Sequence, residues 1–150
     1  MYMSTALITG VAGFIGSNLA AALLNRGYTV HGVDNFETGR RRNLDSLHRN
    51  DDFEFHETDI RDAESMAHIT DDVDYVFHQA AVPSVPRSVK DPVTTTDANC
   101  AGTATVLDTA RKSDVDTVVV ASSSSVYGST EQLPKVETMD PQPESPYALS

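Results

Sequence analysis

TGVAGFIG, residues 9–16, sets glycines at positions 10, 13 and 16. Upstream, Thr5–Thr9 (TALIT) is a short apolar run that reads as a buried strand, and Gly10 ends it. Downstream, Phe14–Arg26 (FIGSNLAAALLNR) has helical spacing and is closed by Gly27. The glycines therefore occupy a strand-to-helix turn. Gly10 permits the tight turn, Gly13 lets backbone approach a pyrophosphate, and Gly16 lets the helix pack closely on the sheet. The helix start presents free N–H groups and a positive dipole end, both suited to phosphate. A glycine triplet alone is accounted for by close packing. Here the next strand, Tyr28–Asp34 (YTVHGVD), ends in a carboxylate 18 residues beyond Gly16. A carboxylate in that place accepts from both hydroxyls of a ribose and repels a 2′-phosphate, so the turn predicts NAD rather than NADP. Arg40, Arg41 and Arg42 compete with that reading, since arginines accept a 2′-phosphate. Six residues past the strand, they are expected on a solvated loop or helix start.

The alternation continues outward from this unit. Phe53–Thr58 is a third strand, and Arg61–Ile69 a short helix begun by Asp59 or nearby. Asp74–Gln79 is a fourth strand. Pro92–Lys112 is mostly helical, with Thr94, Thr95 and Thr96 weakening its start. Thr117–Ala121 is a fifth, fully apolar, buried strand. Pro146 and Tyr147 open a last helix. Apolar strands separated by helices predict the α/β class: a Rossmann-type doubly wound parallel sheet with helices on both faces. A length of 150 residues fits one domain, 1–150.

Composition narrows the partners. The net charge is −11, from 22 acidic against 11 basic residues, and the only lysines are Lys90, Lys112 and Lys135. Nucleic acid is excluded as a partner, because phosphate binding needs a basic face. An Asp-rich, Lys-poor surface fits a high-salt, halophilic cytoplasm. No apolar stretch approaches the ~18–20 residues of a membrane span. Met1-Tyr2-Met3-Ser4 runs straight into the first strand without a secretory or transit pattern. The single cysteine, Cys100, forms no internal disulfide, consistent with a cytoplasmic location. The five histidines lack metal-ligand spacing, so no metal is expected.

The glycine turn, Asp34, HQAA (78–81), SSSSVYG (122–128) and SPYALS (145–150) together resemble the extended short-chain dehydrogenase/reductase family. More closely, they resemble its NAD-dependent nucleotide-sugar epimerase and dehydratase branch. HQAAVPSVPRSVKDP (78–92) and LPKVE (133–137) are similar to UDP-glucose and UDP-N-acetylglucosamine 4-epimerases. That resemblance implies the following roles. Gly10, Gly13 and Gly16 bind the NAD pyrophosphate, with Phe14 and Ile15 beside it. Asp34 and Asn35 hold the adenosine ribose, and Asp59 and Ile60 contact adenine. Gln79, Ala80 and Ala81 line the cofactor's path, and Asn99 matches an asparagine of the following helix. Ser123 and Tyr147 are the catalytic pair, Tyr147 also contacting NAD, while Ser84, Ser122, Ser123 and Ser124 can face the sugar.

The implied reaction is epimerisation at C4 of a UDP-sugar (the glucose/galactose or the N-acetyl pair) through a 4-keto sugar, with hydride passing to NAD and back. Dehydratases of the branch carry an acid pair after the catalytic residue; here Ser124 and Ser125 stand there, which disfavours loss of water. The related glucuronate epimerases, decarboxylases and nucleotide-sugar reductases, and a non-catalytic NAD-binding module, stay open. Arg87 reads as a sugar-carboxylate binder or a local ion pair. A tyrosine in water ionises near pH ~10, so the family uses a lysine four residues on, which falls at position 151. The expectation is accordingly that these residues are the N-terminal, cofactor-binding part of a homodimeric enzyme about twice as long.

Overall fold

The computed structural model describes residues 3–150; Met1 and Tyr2, which lead into the first strand, lie outside the described residues. Five parallel strands form one sheet in the order β3-β2-β1-β4-β5. They are β1 (Thr5–Thr9), β2 (Thr29–Asp34), β3 (Phe53–Glu57), β4 (Tyr75–His78) and β5 (Thr117–Val120). Thr9 pairs with Val33 on one side and His78 on the other. The winding reverses at β1, and a crevice outside the carboxyl ends of β1 and β4 is where such sheets bind ligands.

Alternation along the strands feeds two cores. Ala6 and Ile8 pack with Ala20 and Leu23 of α1 (Phe14–Leu24) and with Leu44 and Leu47 from the two 3₁₀ turns Arg41–Leu44 and Leu47–Arg49. Leu7 faces the other way, onto Met66 and Ile69 of α2 (Ala63–Thr70) and Val106 of α5 (Gly102–Lys112). Ala6, Leu7 and Ile8 are all fully buried, so β1 is covered on both faces as the doubly wound reading requires.

Several elements differ from expectation. α2 begins at Ala63 rather than Arg61, because Asp62 is its cap: Ser65 N–H donates to Asp62 Oδ1 at 3.2 Å. The stretch Pro92–Lys112 is helical throughout, but as α4 (Pro92–Thr96), a π-helical turn (Asp97–Ala101) and α5. Its threonine-rich start holds because Asp91 accepts from Thr94 N–H at 3.2 Å and, through its carbonyl, from Thr95 Oγ1 at 3.0 Å. An unforeseen short helix, α3 (Val85–Lys90), precedes it. The last helix is α6 (Pro146–Leu149). β5 is apolar but not buried: Val119 and Val120 are 45% and 46% exposed. It is the sheet edge, paired only with β4 among the described residues, and Val118 alone of its valines packs on the second core.

Candidate functional site

The glycine turn is closed by backbone contact. Gly10 has φ +70°, and a Cβ there would lie 2.8 Å from the Ala80 backbone; a Cβ at Gly16 would lie 2.3 Å from the Gly10 carbonyl oxygen. Side chains are thereby excluded where β1, α1 and the end of β4 meet. Gly13 precedes α1 with no side-chain cap, and the first turn of the helix holds no acid. That start is electrostatically open to an anion. Phe14 and Ile15, 82% and 63% exposed, stand on its rim.

At the end of β2, Asp34 is buried and points back at the turn. Ala12 N–H donates to its Oδ2 at 2.9 Å and Phe36 N–H to its Oδ1 at 2.7 Å. Burial pushes this carboxyl up, against the opposing pull of the two amides. Each oxygen keeps a second lone pair for a further donor. Asn35 Nδ2 donates to Asp59 Oδ2 at 3.0 Å, and Arg61 grips Asp59 at 2.7 Å while also pairing with Asp97 of the π turn. The Arg61 guanidinium beside Asp59 holds its carboxyl down at about 2. This chain of polar groups ties the ends of β2 and β3 to the long helix. Arg41, the central arginine of 40–42, lies 4.1 Å from the Phe36 ring centre and donates to Glu57 at 2.8 Å. Arg87 pairs with Glu37, a residue remote in sequence but adjacent in space.

Asp34, Asn35, Asp59 and Ile60 line a narrow cavity of about 70 Å³ with Gly10, Ala80 and Ala81. Through Gly10, Asp34, Ala80 and Ala81 it is continuous with a cavity of about 620 Å³. The larger cavity takes in the whole glycine turn with Phe14 and Ile15, then Gln79, Asn99, Ser122, Ser123 and Tyr147. Its volume lies within the usual ~300–1,000 Å³ of small-molecule sites. Residues assigned to opposite ends of the chain thus share one groove.

Two assigned serines do not join it. Ser84 lines neither cavity; its Oγ accepts from Arg87 N–H at 3.3 Å and caps α3. Ser124 is exposed in the 3₁₀ turn Ser124–Tyr127 and also lies outside the lining. Ser123 precedes that turn, and its Oγ accepts from Ser125 N–H at 3.2 Å. Asn99 is spent internally: Val82 N–H donates to its Oδ1 at 2.8 Å, and its Nδ2 donates to Ser150 Oγ at 2.9 Å. Ser150 Oγ in turn donates to the Tyr147 carbonyl at 3.1 Å, so Asn99 holds the tyrosine helix against the π turn.

Thr9, Thr38 and Thr103 were not foreseen as parts of the site, whereas His78 opens the HQAA motif (78–81). Thr38 lines both cavities. His78 is buried with Nδ1 at 2.7 Å from Thr9 Oγ1 and Nε2 at 2.8 Å from Thr103 Oγ1. Ala80 N–H donates to Thr9 Oγ1, and Thr103 Oγ1 donates to the Asn99 carbonyl. Because Thr103 spends its only proton on the Asn99 carbonyl, Nε2 must carry a proton and donate to Thr103; in the neutral imidazole Nδ1 then accepts from Thr9. Burial pushes His78 down to about 4, in keeping with that form. The sequence signal was only a histidine at the end of an otherwise apolar strand.

The family model described as GDP-mannose 4,6 dehydratase matches residues 7–150. The chain belongs to this NAD-dependent epimerase/dehydratase family. It is 43% identical over 95% of its length to the UDP-glucose 4-epimerase of Mycolicibacterium smegmatis, of which it covers 46%. The UDP-N-acetylglucosamine 4-epimerase of Methanobrevibacter ruminantium, solved with UDP-N-acetylmuramic acid, superimposes with TM-score 0.91 at 33% identity, over 99% of this chain and 47% of that one. The dTDP-glucose 4,6-dehydratase DesIV of Streptomyces venezuelae, solved with NAD bound, does so with TM-score 0.91 at 36% identity, over 97% and 47%. The chain spans about half the length of the curated relatives it matches.

Proposed function

We propose that the polypeptide carrying this chain is an NAD-dependent UDP-sugar 4-epimerase, acting on the glucose/galactose or the N-acetyl pair. The observation that carries this reading is the single groove running from the Asp34 carboxylate, past the open start of α1, to Ser123 and Tyr147. NAD fits its first part. Gly10 and Gly16 leave the turn without side chains, the α1 start suits a pyrophosphate, and Asp34 has lone pairs for ribose hydroxyls. Arg41, engaged by Glu57 and Phe36, supports NAD over its 2′-phosphorylated form.

When bound, NAD supplies the acceptor and then the donor of hydride at the sugar C4. The protein's own residues manage the proton. Tyr147 takes it from the C4 hydroxyl, and Ser123 hydrogen-bonds the same oxygen. The Ser123 Oγ receives the Ser125 amide proton as acceptor, which leaves its own O–H free to donate to substrate. Ser122 lines the sugar's side of the groove, while Ser84 and Ser124 are better read as turn and cap residues. With Ser124 and Ser125 in place of an acid pair, no carboxylate follows Ser123 to drive loss of water. A homodimer is supported by the exposed apolar positions Val93, Cys100 and Leu107, spaced by seven along the long helix, and by Leu149 on α6. The acidic, lysine-poor composition supports work in a salty cytoplasm.

The test is to incubate the purified full polypeptide with UDP-glucose, UDP-N-acetylglucosamine or UDP-glucuronate, and to follow the sugar signals by NMR. The expected product is the C4 epimer of one of the first two, with no net change in NAD. Decarboxylated or reduced sugar would assign one of the sister reactions. NAD-dependent thermal stabilisation without any sugar product would leave a binding module and sink the epimerase reading.

A further inference from the structure

Away from the groove, the pairing of β2 with β3 gathers three metal-ligating side chains. His31 stands opposite Glu54, and Val33 opposite His56. The two-residue period of a strand puts His31, Glu54 and His56 on one face of the sheet. A coordinating atom from each lies within 4.8 Å of the others. The two imidazoles stack, with centroids 5.5 Å apart and 25° between planes. His56 Nε2 is 3.7 Å from Glu54 Oε1, beyond hydrogen-bond range. Both His31 Nδ1 and His56 Nε2 are buried atoms without a hydrogen-bond partner among the described residues.

Buried nitrogens without partners are costly and rare in folded proteins. Two of them stand beside one carboxylate, and we propose that the three share a divalent transition metal, with zinc as the probe, clipping β3 to β2. Two imidazoles and one carboxylate suit zinc and its neighbours in the first transition row, and leave a fourth position for water. Calcium and magnesium prefer sets made of oxygen alone. Metal–ligand distances near ~2.1 Å set tetrahedral ligand atoms ~3.4 Å apart, so the triad, now spread within 4.8 Å, must close by up to about 1.4 Å. Glu54, with 65% of its side chain exposed, has the freedom to swing inward. No local pattern signals this site, because the two histidines lie 25 residues apart and meet only through strand register.

The experiment uses tag-free protein stripped with EDTA, equilibrium dialysis against Zn²⁺, thermal melts, and Co²⁺ absorption spectra. One zinc per chain is expected. At zinc a hundredfold above its dissociation constant, the melting midpoint should rise by roughly 5–10 °C. Glu54→Gln and His56→Gln should each weaken binding by more than the roughly 10–100-fold that loss of an outer partner costs, and remove the visible bands of four-coordinate Co²⁺. His48→Gln, on the opposite face against Phe53 and Phe55, should leave both unchanged. Glu54 is exposed, so its variant tests the site even if the histidine variant unfolds. Binding that survives Glu54→Gln and His56→Gln would assign the zinc to surface carboxylates and overturn the proposal, as would the absence of saturable binding.

Discussion

The two ends of the groove differ in how much of their support lies within these 150 residues. At the glycine-turn end, Val11, Ala12, Val30 and Val33 are fully buried, and Asp34 is locked by two backbone amides. At the hydroxyl end, among the described residues, β5 pairs with β4 alone and its last two valines are nearly half exposed, and Tyr147 stands in Pro146–Leu149, the last helical residues of this sequence. Ser123 makes its bond only to the turn that follows it, and Asn99 supplies the link that steadies the tyrosine helix. In the proposed reading, recognition of a dinucleotide is therefore carried by backbone and core. In the same reading, proton chemistry falls to the hydroxyls of Ser123 and Tyr147. The two functions should fail separately.

The largest expected effect sharpens that contrast. Tyr147→Phe in the full polypeptide removes the proposed base, and turnover should fall about 10²–10⁴-fold, or roughly 3–5 kcal/mol in barrier. Dinucleotide affinity, measured by titration, should change little, because the glycine turn is untouched. Equal loss of both would show that the two ends are one unit. The converse substitution is Gly16→Ala. Its new Cβ would lie 2.3 Å from the Gly10 carbonyl oxygen, so the α1 start must move. We expect destabilisation of about 2–4 kcal/mol in a denaturant titration, with dinucleotide-dependent stabilisation abolished. Retained dinucleotide binding would break the claim that backbone contact builds this end.

Legibility in the sequence follows the same divide. β1, β2 and β4 were readable because short, mostly apolar stretches bounded by glycine or aspartate fold as buried strands and are too short for helices, and β3 (FEFHE) because it alternates. Gly10, Gly16 and Asp34 could be assigned because their roles are set by backbone geometry close in sequence. β5 was readable as a strand but not as an edge, since TVVV reads the same whether or not anything covers it. α3 was missed because VPRSVK is only six residues long with a proline in its first turn, and it depends on Ser84 for its cap. That cap is also why Ser84 is unavailable to the groove. The π turn around Asn99 and the thread through Thr9, His78 and Thr103 depend on contacts between residues 17 to 69 apart in sequence, which no local pattern reveals.

His78 joins the two regions, and acid probes it. Its folded-state value is pushed down to about 4 from 6.5 by burial, so the unfolded chain binds the proton more readily. Stability is then full above about pH 6.5 and is lost as pH falls toward about 4, by roughly 3 kcal/mol at most. His31, lowered by burial as well, adds in the same direction. Asp59 contributes only below these values, since its carboxyl is held at about 2 and it is partly exposed. Melting midpoints between pH 7 and 4 should therefore fall before most carboxylates titrate. His78→Asn should flatten that slope while lowering stability overall. A midpoint that rises on acidification would mean the Thr9–His78–Thr103 thread is not what holds β1, β4 and α5 together.

The smallest effects test the packing contrast directly, with one chemical change at two strand positions. Val33→Thr places a hydroxyl at a fully buried site in the middle of the sheet and should cost about 1–3 kcal/mol. Val119→Thr makes the same change where the residue is 45% exposed and β5 has one strand neighbour among the described residues. Threonine suits a solvated strand as well as valine does, so the expected change is within about 0.5 kcal/mol. Both are read from denaturant midpoints at an unchanged slope, which keeps the comparison to native-state packing. A cost at Val119 equal to that at Val33 would mean its face is covered in solution by a second copy or by further chain. The hydroxyl end would then be as firmly built as the glycine turn, and the separation between recognition and chemistry would have to rest on Tyr147 alone.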